Sequence, residues 1–201
     1  EWTDAGVDGA WRYLNRLWRM VAEAELPERG KPMPKDLGDR AQKTRRIIHR
    51  SIVEVSHAFE RFHFNGAVAR IRELSNALEA LDTKDTGEAW VLREGLETLT
   101  QLLGPMLPHI AEEMWETLGF KTLLTGTTWP KPEDSLLIET TVTIAVQVNG
   151  KLRARLTVPR DLPTRDVEAV ALANENVVRA MNGGAAKKII VVPNKIVNVV
   201  A

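Results

Sequence analysis

The apolar residues of this chain change their spacing near residue 140, and this change limits the folds that the chain can adopt. Before that point they recur every three or four residues, as in Val7, Trp11 and Leu14, which places them on one face of a helix. After it they alternate with polar residues, as in Val142 and Ile144, which is the period of a strand with one buried face. The sequence therefore predicts an α domain followed by a smaller α+β domain.

Five helices are predicted in the first domain. The first ends before Pro27, and the others span about 36–62, 65–81, 87–103 and 108–118, with Asn65 capping the third. Short connections between such helices favour an antiparallel bundle. Apolar residues at helical spacing are expected to face the interior of the bundle. In the second and third helices they are Ile48, Ile52, Val55, Phe59, Val68, Ile71, Leu74 and Leu78.

Residues 120–140 have no clear period and contain turn-forming residues such as Gly126 and Pro130. They are expected to form a loop followed by an interdomain linker. The predicted domains are a helical bundle over 1–130, a linker over 131–140 and a small α+β domain over 141–201.

The second domain is expected to begin with a β-hairpin, because Asn149-Gly150 is a turn signal between two alternating runs. A three-residue loop that starts at Val148 pairs Val146 with Leu152 and turns every apolar residue to one face, whereas a two-residue turn mixes the faces. This register also groups basic residues of the second strand on the solvent face. They are Lys151, Arg153 and Arg155.

A helix over about 165–181 is predicted after the hairpin, with Thr164 as its cap and Asn174 as a candidate break. Two further strands, 189–192 and 196–200, are joined by a turn at Pro193-Asn194. The predicted order is β-β-α-β-β, in which the helix covers one face of the sheet.

The formal net charge of zero conceals an uneven distribution. Residues 1–140 carry 18 basic and 23 acidic side chains, a net charge of −5, and residues 141–201 carry 9 basic and 4 acidic, a net charge of +5. All six Trp lie in the first part, and the second part has no aromatic residue. A small basic domain points to a polyanionic partner, and the missing aromatic rings favour backbone and shape recognition of folded RNA over base stacking there.

Several other classes of protein are disfavoured. The chain has no Cys, hence no disulfide, thiolate metal site or Cys nucleophile, which fits a reducing, cytoplasmic location. No apolar run approaches the roughly 18 residues of a membrane span. The start at Glu1 has no signal-peptide character, and the missing initiator Met suggests a fragment or a processed chain.

A catalytic or metal site is not indicated. The four histidines, 49, 57, 63 and 109, belong to the helical part and are expected to be solvent-exposed or helix-capping. His109 and Glu113 are one helical turn apart, but a zinc site needs further ligands. Gly183-Gly184 lacks the context of a phosphate-binding loop. We therefore expect no catalytic residue and no bound metal ion.

Two groups of basic residues are candidates for phosphate binding. Rows of Lys and Arg on rigid elements neutralise phosphates and release counterions. The first group combines the hairpin with the later strands and consists of Lys151, Arg153, Arg155, Lys187, Lys188 and Lys195. The second is a stripe on the second helix and consists of Arg40, Lys43, Arg46 and Arg50. A stripe of this kind is more often a solvated helix face, so the hairpin group is the stronger candidate.

Five segments of the chain resemble the C-terminal portion of bacterial-type leucyl-tRNA synthetases. They are Gly9–Trp18 (GAWRYLNRLW), Phe64–Leu74 (FNGAVARIREL), Leu107–Trp115 (LPHIAEEMW), Val146–Arg155 (VQVNGKLRAR) and Ile189–Asn198 (IIVVPNKIVN). The third segment is shared with valyl, isoleucyl and methionyl relatives, whereas the hairpin segment is more specific to the leucyl enzymes. The resemblance covers nearly the whole chain.

The resemblance implies an anticodon-binding-type bundle of a class I synthetase, followed by a small domain that docks on the outer corner of tRNA-Leu. It implies tRNA contacts by Lys151, Arg153 and Arg155 and, on a weaker match, by Lys43, Arg46 and Arg50. Whole enzymes of that family join leucine to tRNA with ATP and magnesium and hydrolyse mischarged product in an editing domain.

The nucleotide motifs of the His-Ile-Gly-His and Lys-Met-Ser-Lys-Ser types are absent from this sequence. The chain is therefore expected to position tRNA without a cofactor, beside catalytic and editing domains of the same polypeptide, and as a monomer. A second interpretation is a non-catalytic protein-interaction module with a solubilising basic domain. A free-standing enzyme is disfavoured because the sequence offers no catalytic set.

Overall fold

The computed structural model describes residues 3–138, 141–182 and 184–200. The chain divides into two compact units, Glu1–Leu137 and Ile138–Ala201. Trp2, Gly183 and the Glu139–Thr140 end of the expected linker lie outside the described residues.

The first unit is helical, as its apolar spacing predicts. Two helices begin at side-chain caps, since Thr3 accepts a hydrogen bond from the N–H of Gly6 and Asp85 from that of Glu88. The helices are α1 (Asp4–Ala22), α2 (Gly38–Glu60), α3 (Phe64–Glu79), α4 (Thr86–Leu103), α5 (Pro108–Thr117) and α6 (Asp134–Leu137), with a short 3-10 helix at Leu124–Gly126.

The expectation that Asn65 caps α3 is wrong. α3 begins at Phe64, and His63 takes the N-cap position without a side-chain hydrogen bond. The preceding helix ends in a backbone turn, in which the N–H of His63 donates to the carbonyl of Ala58 over 2.8 Å. Phe62 lies inside this turn with a φ of +57°. The turn, not a polar cap, sets the start of α3.

The core of the helical unit is formed by the inner faces of α1 to α5. The apolar stripe of α2 faces it as predicted, because Ile48, Ile52 and Val55 are at most 2% exposed. The largest fully buried side chains of this unit are Leu17, Ile48, Ile71, Leu74, Leu78, Leu96, Leu99, Leu102, Met114, Val55 and Val91.

Three apolar residues that were expected in the interior lie at the surface. Val7 and Trp11 of α1 are 50% and 66% exposed, and Val68 of α3 is 43% exposed. Ala67 takes the buried position at the start of α3 in place of Val68. On α1, the buried residues begin at Leu17, so the apolar face is longer than the part that neighbouring helices cover.

The segment after α5, expected as a loop and linker, packs on α2. The indole N–H of Trp129 donates to Ser56 Oγ over 2.8 Å, and the N–H of Glu133 donates to His49 Nδ1 over 2.9 Å. His49 is only 7% exposed, which corrects the expectation that it is solvent-exposed or helix-capping. The first compact unit therefore includes this segment as far as Leu137.

The second unit is a four-stranded sheet with two helices, which confirms the α+β prediction. The strand order in space is β2-β1-β4-β3, with β1 and β4 parallel and the two outer pairs antiparallel. Its elements are β1 (Thr141–Val148), β2 (Lys151–Pro159), α7 (Thr164–Ala173), α8 (Glu175–Ala180), β3 (Lys188–Val192) and β4 (Ile196–Val200). An aliphatic core lies between the sheet and the helices and includes Ile144, Val146, Val167, Ala171, Val177 and Val197.

The helical segment of this unit breaks at Asn174, as predicted, and Asn174 caps α8 by accepting a hydrogen bond from the N–H of Asn176 over 3.1 Å. The expectation that Thr164 caps α7 is wrong. Thr164 is the first helical residue, and Pro163 precedes it without a side-chain cap. Proline fixes φ near the helical value, so the helix can start there without a polar cap.

The hairpin between β1 and β2 has a two-residue turn, so the predicted three-residue loop is wrong. Val148 pairs directly with Lys151. Asn149 and Gly150 between them have φ angles of +49° and +77°, the left-handed conformation that the tight hairpin turn requires.

A bulge in β2 restores the inward face for the apolar residues that follow it, which a two-residue turn alone would not do. Val146 pairs with Ala154, but its neighbour Gln147 pairs with Leu152. Arg153 is thus an extra residue in β2, and it shifts the alternation by one position. Ala154 and Leu156, after the bulge, therefore pair with inward-facing Val146 and Ile144, whereas Leu152, before it, is 50% exposed.

Candidate nucleic-acid interface

The hairpin turn is hydrogen-bonded to β4, one of the two central strands of the sheet. The N–H of Asn149 donates to the carbonyl of Val199 over 2.9 Å, and the N–H of Gly150 donates to Asn198 Oδ1 over 3.2 Å. Because the turn is held at both residues, the basic side chains that follow it project from a fixed backbone.

Lys151, Arg153 and Arg155 are all exposed, and among the described residues none of the three forms an ion pair. They do not share one face, which corrects the expected grouping. Lys151 lies opposite buried Val148, whereas Arg155 lies opposite Ala145 on the outer face, because the bulge at Arg153 inverts the alternation between them. The three cations therefore follow the edge of the sheet along β2.

The lysines of the later strands divide between the two ends of the sheet. Lys188 pairs with Val200, and the N–H of Lys187 donates to the Val200 carbonyl over 2.8 Å, which places both lysines at the end that carries the hairpin turn. Since β3 and β2 are opposite edges, three strand spacings put roughly 14 Å between their backbones. Lys195 precedes β4 and lies at the other end.

We call the hairpin end of the sheet, with Lys151, Arg153, Lys187 and Lys188, the turn end. Residues 141–201 contain four acidic residues, and within the described part of the chain none of them forms an ion pair with the turn end. Asp161 is hydrogen-bonded to Asn194 over 2.8 Å, and Glu175 forms an ion pair with Arg179. The other two belong to α7. The turn end can therefore accept phosphates without first breaking an internal ion pair.

The basic stripe of α2 is less available than its sequence indicates. Arg40 forms an ion pair with Glu88 over 3.2 Å and donates to the carbonyl of Ala80. Lys43 and Arg50 are exposed, and Arg46 is half-buried. Both Arg46 and Arg50 make further contacts within the chain. The stripe therefore serves the packing of the helical unit at least in part.

Arg45, next to this stripe, has a structural role. Its Nε lies 3.0 and 3.1 Å from the two carboxylate oxygens of Glu94, and its Nη2 lies 2.7 Å from Glu133 Oε2. Burial lowers the pKa of Arg45, but the hydrogen bonds to Glu94 and Glu133 outweigh it and raise that pKa. The hydrogen bond from Ser135, followed by that from Arg45, lowers the pKa of Glu133. This cluster attaches the segment before α6 to α2.

Among the described residues, no group of three His, Asp or Glu side chains could hold a metal ion. His109 and Glu113 line an open groove of about 650 Å³ together with Trp11 and Trp18. The neighbouring carboxylate of Glu112 accepts the N–H groups of the 3-10 segment, so its role is structural. No helix in the described part of the chain is long and apolar enough to cross a membrane.

Sequence reasoning missed an exposed aromatic group at the turn between α2 and α3. Phe62 is 79% exposed and Phe64 is 48% exposed. The signal that could have found them is the pair of phenylalanines between the predicted end of one helix and Gly66, outside the apolar spacing of both flanking helices.

Comparison with known proteins gives matches over the whole chain. The family model of the anticodon-binding domain of tRNA ligase matches residues 42–170, which extend from α2 to α7. The leucine–tRNA ligases of Paramagnetospirillum magneticum and Rhodospirillum rubrum are 57% and 49% identical, and each match covers 100% of this chain and 23% of the relative.

A solved structure is also similar. It is the crystal structure of the ternary complex of Agrobacterium radiobacter K84 agnB2 LeuRS with tRNA and LeuAMS, which matches with a TM-score of 0.74 and 29% identity. The match covers 100% of this chain and 26% of that chain. This chain thus spans about a quarter of the length of its relatives.

Proposed function

Since the chain belongs to the family of anticodon-binding domains of tRNA ligases, we propose that it is the tRNA-binding portion of a leucine–tRNA ligase. In this proposal it positions tRNA-Leu for aminoacylation and editing, which other parts of the parent protein carry out. Identities of 57% and 49% to two leucine–tRNA ligases support the choice of leucine.

The observation that carries the proposal is the exposed set of cations at the turn end and along β2, which form no ion pair within the described residues. These residues lie within residues 141–201, which have a net charge of +5 and no aromatic side chain. Such a surface binds the phosphate backbone of folded RNA through charge and shape. Lys151, Arg153 and Arg155 are the main proposed contacts, supported at the same end of the sheet by Lys187 and Lys188. The proposal gives Lys195, Lys43, Arg46 and Arg50 secondary roles.

The proposal includes the division of labour in the parent protein. Residues 1–130 act as the anticodon-binding-type bundle, and residues 141–201 act as a small tRNA-binding domain joined through the 131–140 segment. The parent is a cytoplasmic monomer that uses ATP and magnesium in a catalytic domain and hydrolyses mischarged product in an editing domain of the same polypeptide. This portion binds neither ATP nor magnesium.

Charge reversal at the turn end tests the proposal. The variant Lys151→Glu with Arg153→Glu is compared with wild type in a filter-binding titration of tRNA-Leu and of a second tRNA at moderate salt. We expect at least about tenfold weaker binding, because two phosphate contacts turn into repulsions.

Arg165→Glu is the matched control, since Arg165 is exposed in the same unit and a carboxylate is tolerated in the first turn of α7. Unchanged affinity of the double variant would remove the turn end from the proposed interface. If the wild-type protein bound a protein partner but no tRNA, the result would favour a protein-interaction module instead of the proposed function.

A further inference from the structure

A row of aromatic rings runs from Trp129 through partly buried Phe59 to the surface of the helical unit at the α2–α3 turn. The ring centroids are 5.8 Å apart for Trp129 and Phe59, 5.9 Å for Phe59 and Phe64, and 6.1 Å for Phe64 and Phe62. Trp129 is 37% exposed and Phe59 is half-buried, and exposure then increases to 48% at Phe64 and 79% at Phe62. The outermost ring is therefore supported from behind and open in front.

Phe62 occupies a backbone position that does not suit a phenylalanine. Its φ of +57° lies in the left-handed region, at the residue where a helix-ending turn of this kind usually has glycine. Because the side chain is 79% exposed, it buries too little surface to offset this strain. Neither backbone preference nor packing accounts for the residue, so a contact outside the chain is the remaining physical reason for its presence.

The groups around this ring are polar. Arg61, His63 and Asn65 are exposed, and so is the carboxylate-bearing Glu60 next to Arg61 in the chain. Within the described part of the chain Arg61 makes no ion pair. An apolar protein surface that covered Phe62 would bury these groups without partners, which is unfavourable. A nucleotide fits them better, because its base offers a flat face to the ring and its phosphate offers oxygens to Arg61.

We propose that Phe62, with Phe64 behind it, is a stacking platform for one unpaired nucleobase of the RNA partner, and that Arg61 contacts the phosphate of that nucleotide. The inference rests on the proposed function, since it takes RNA as the partner. It adds a base contact on the helical unit, whereas the turn end of the second unit contributes charge alone.

Phe62→Gly is the informative variant, because it removes the ring and also relieves the left-handed strain. Two RNAs serve as probes: a hairpin with one 2-aminopurine in its unpaired loop and a fully paired duplex of the same length. We expect the variant to bind the hairpin at least about fivefold more weakly than wild type does, to bind the duplex equally well and to lose the quenching of 2-aminopurine fluorescence.

Three further variants complete the design. Phe62→Trp should keep the hairpin affinity, and Phe62→Leu, which keeps an apolar side chain but no ring, should lose it. Leu123→Ala, at a residue that is 67% exposed elsewhere in the helical unit, should change neither affinity. Phe62→Gly should also unfold at a higher denaturant concentration than wild type, which separates loss of binding from loss of folding.

The outcomes distinguish this inference from the proposed function. Wild-type protein that binds neither tRNA-Leu nor the hairpin would overturn both. A second outcome is that the wild-type protein binds tRNA-Leu while Phe62→Gly leaves the hairpin affinity unchanged. That result would leave the proposed function standing and overturn the stacking platform alone. Equal losses for hairpin and duplex would also overturn it, as would a loss confined to binding of a protein partner.

Discussion

The imidazole Nδ1 of His49 accepts a hydrogen bond from the backbone N–H of Glu133, a residue 84 positions later, over 2.9 Å. Since Nδ1 acts as an acceptor, the ring proton is on Nε2, which lies 3.4 Å from the carboxylate of Glu94. The buried histidine thus joins the segment before α6 to two helices of the unit.

Replacing His49 by leucine should loosen this segment. The N–H of Glu133 loses its partner, so we expect the free energy of unfolding to fall by about 1–2 kcal/mol. Urea unfolding measures the loss, and faster hydrogen exchange at the Glu133 amide localises it. His109→Leu, at an exposed position on α5, should stay within about 0.5 kcal/mol of wild type. Equal effects of both variants would contradict this role of His49.

The carboxylate of Glu133 should make stability depend on pH. Its pKa in the folded protein lies below the ordinary value of 4.5, through hydrogen bonds from Ser135 and Arg45. The stabilisation is therefore present above pH 4.5 and is lost as the pH falls through the lowered pKa. The difference in urea midpoint between wild type and Glu133→Gln should be constant at higher pH and shrink in acid. A difference independent of pH would show that ionisation of Glu133 plays no part.

Two helical glycines should respond in opposite directions to alanine. A Cβ on Gly95 of α4 would lie 2.2 Å from Leu78 Cδ2, so Gly95→Ala should destabilise the protein by about 1–3 kcal/mol. A Cβ on Gly9 of α1 meets nothing within 4 Å, so Gly9→Ala should stabilise the protein by about 0.5–1 kcal/mol. Thermal unfolding of the two variants tests both signs. A stable Gly95→Ala variant would mean that α3 and α4 can move apart at no cost.

Salt dependence should distinguish the two ends of the sheet. If Lys151 and Arg153 each contact one phosphate, their double replacement should reduce the slope of log K against log salt by about 1.4–1.8. Lys195→Glu, at the opposite end of the sheet and with only a secondary role, should reduce the slope by less than the double replacement does. Titrations at several salt concentrations with tRNA-Leu provide the comparison, and a large effect of Lys195→Glu would place the interface elsewhere on the sheet.

The spacing of apolar residues was sufficient to predict the buried face of elements in which burial follows a single period. The α2 stripe through Ile48 and Ile52 and the alternation of β1 both lie against the cores that their periods predict. Periodicity failed where neighbouring elements decide burial. Val68 and Ala67 are adjacent on α3, and only the position of the neighbouring helices decides which of them lies inside.

The errors in the candidate site have a different physical origin. A two-residue turn at Asn149 mixes the faces of the hairpin, but a one-residue bulge at Arg153 returns the later residues Ala154 and Leu156 to the inward face. A bulge leaves no periodic signal in the sequence. His49 was expected to be exposed because its sequence neighbours are polar, whereas its partners come from α4 and from the segment before α6. Contacts of such long sequence separation cannot be inferred from spacing.

The position of β4 has a consequence for synthesis of the protein. This strand, Ile196–Val200, is the last of the four to be made, yet it lies in the middle of the sheet, between β1 and β3. While the chain emerges from the ribosome, the hairpin of β1 and β2 has an open edge and β3 has no neighbour to pair with. The surface proposed to bind RNA is therefore assembled in one late step, when the final strand enters the sheet and fastens the hairpin turn.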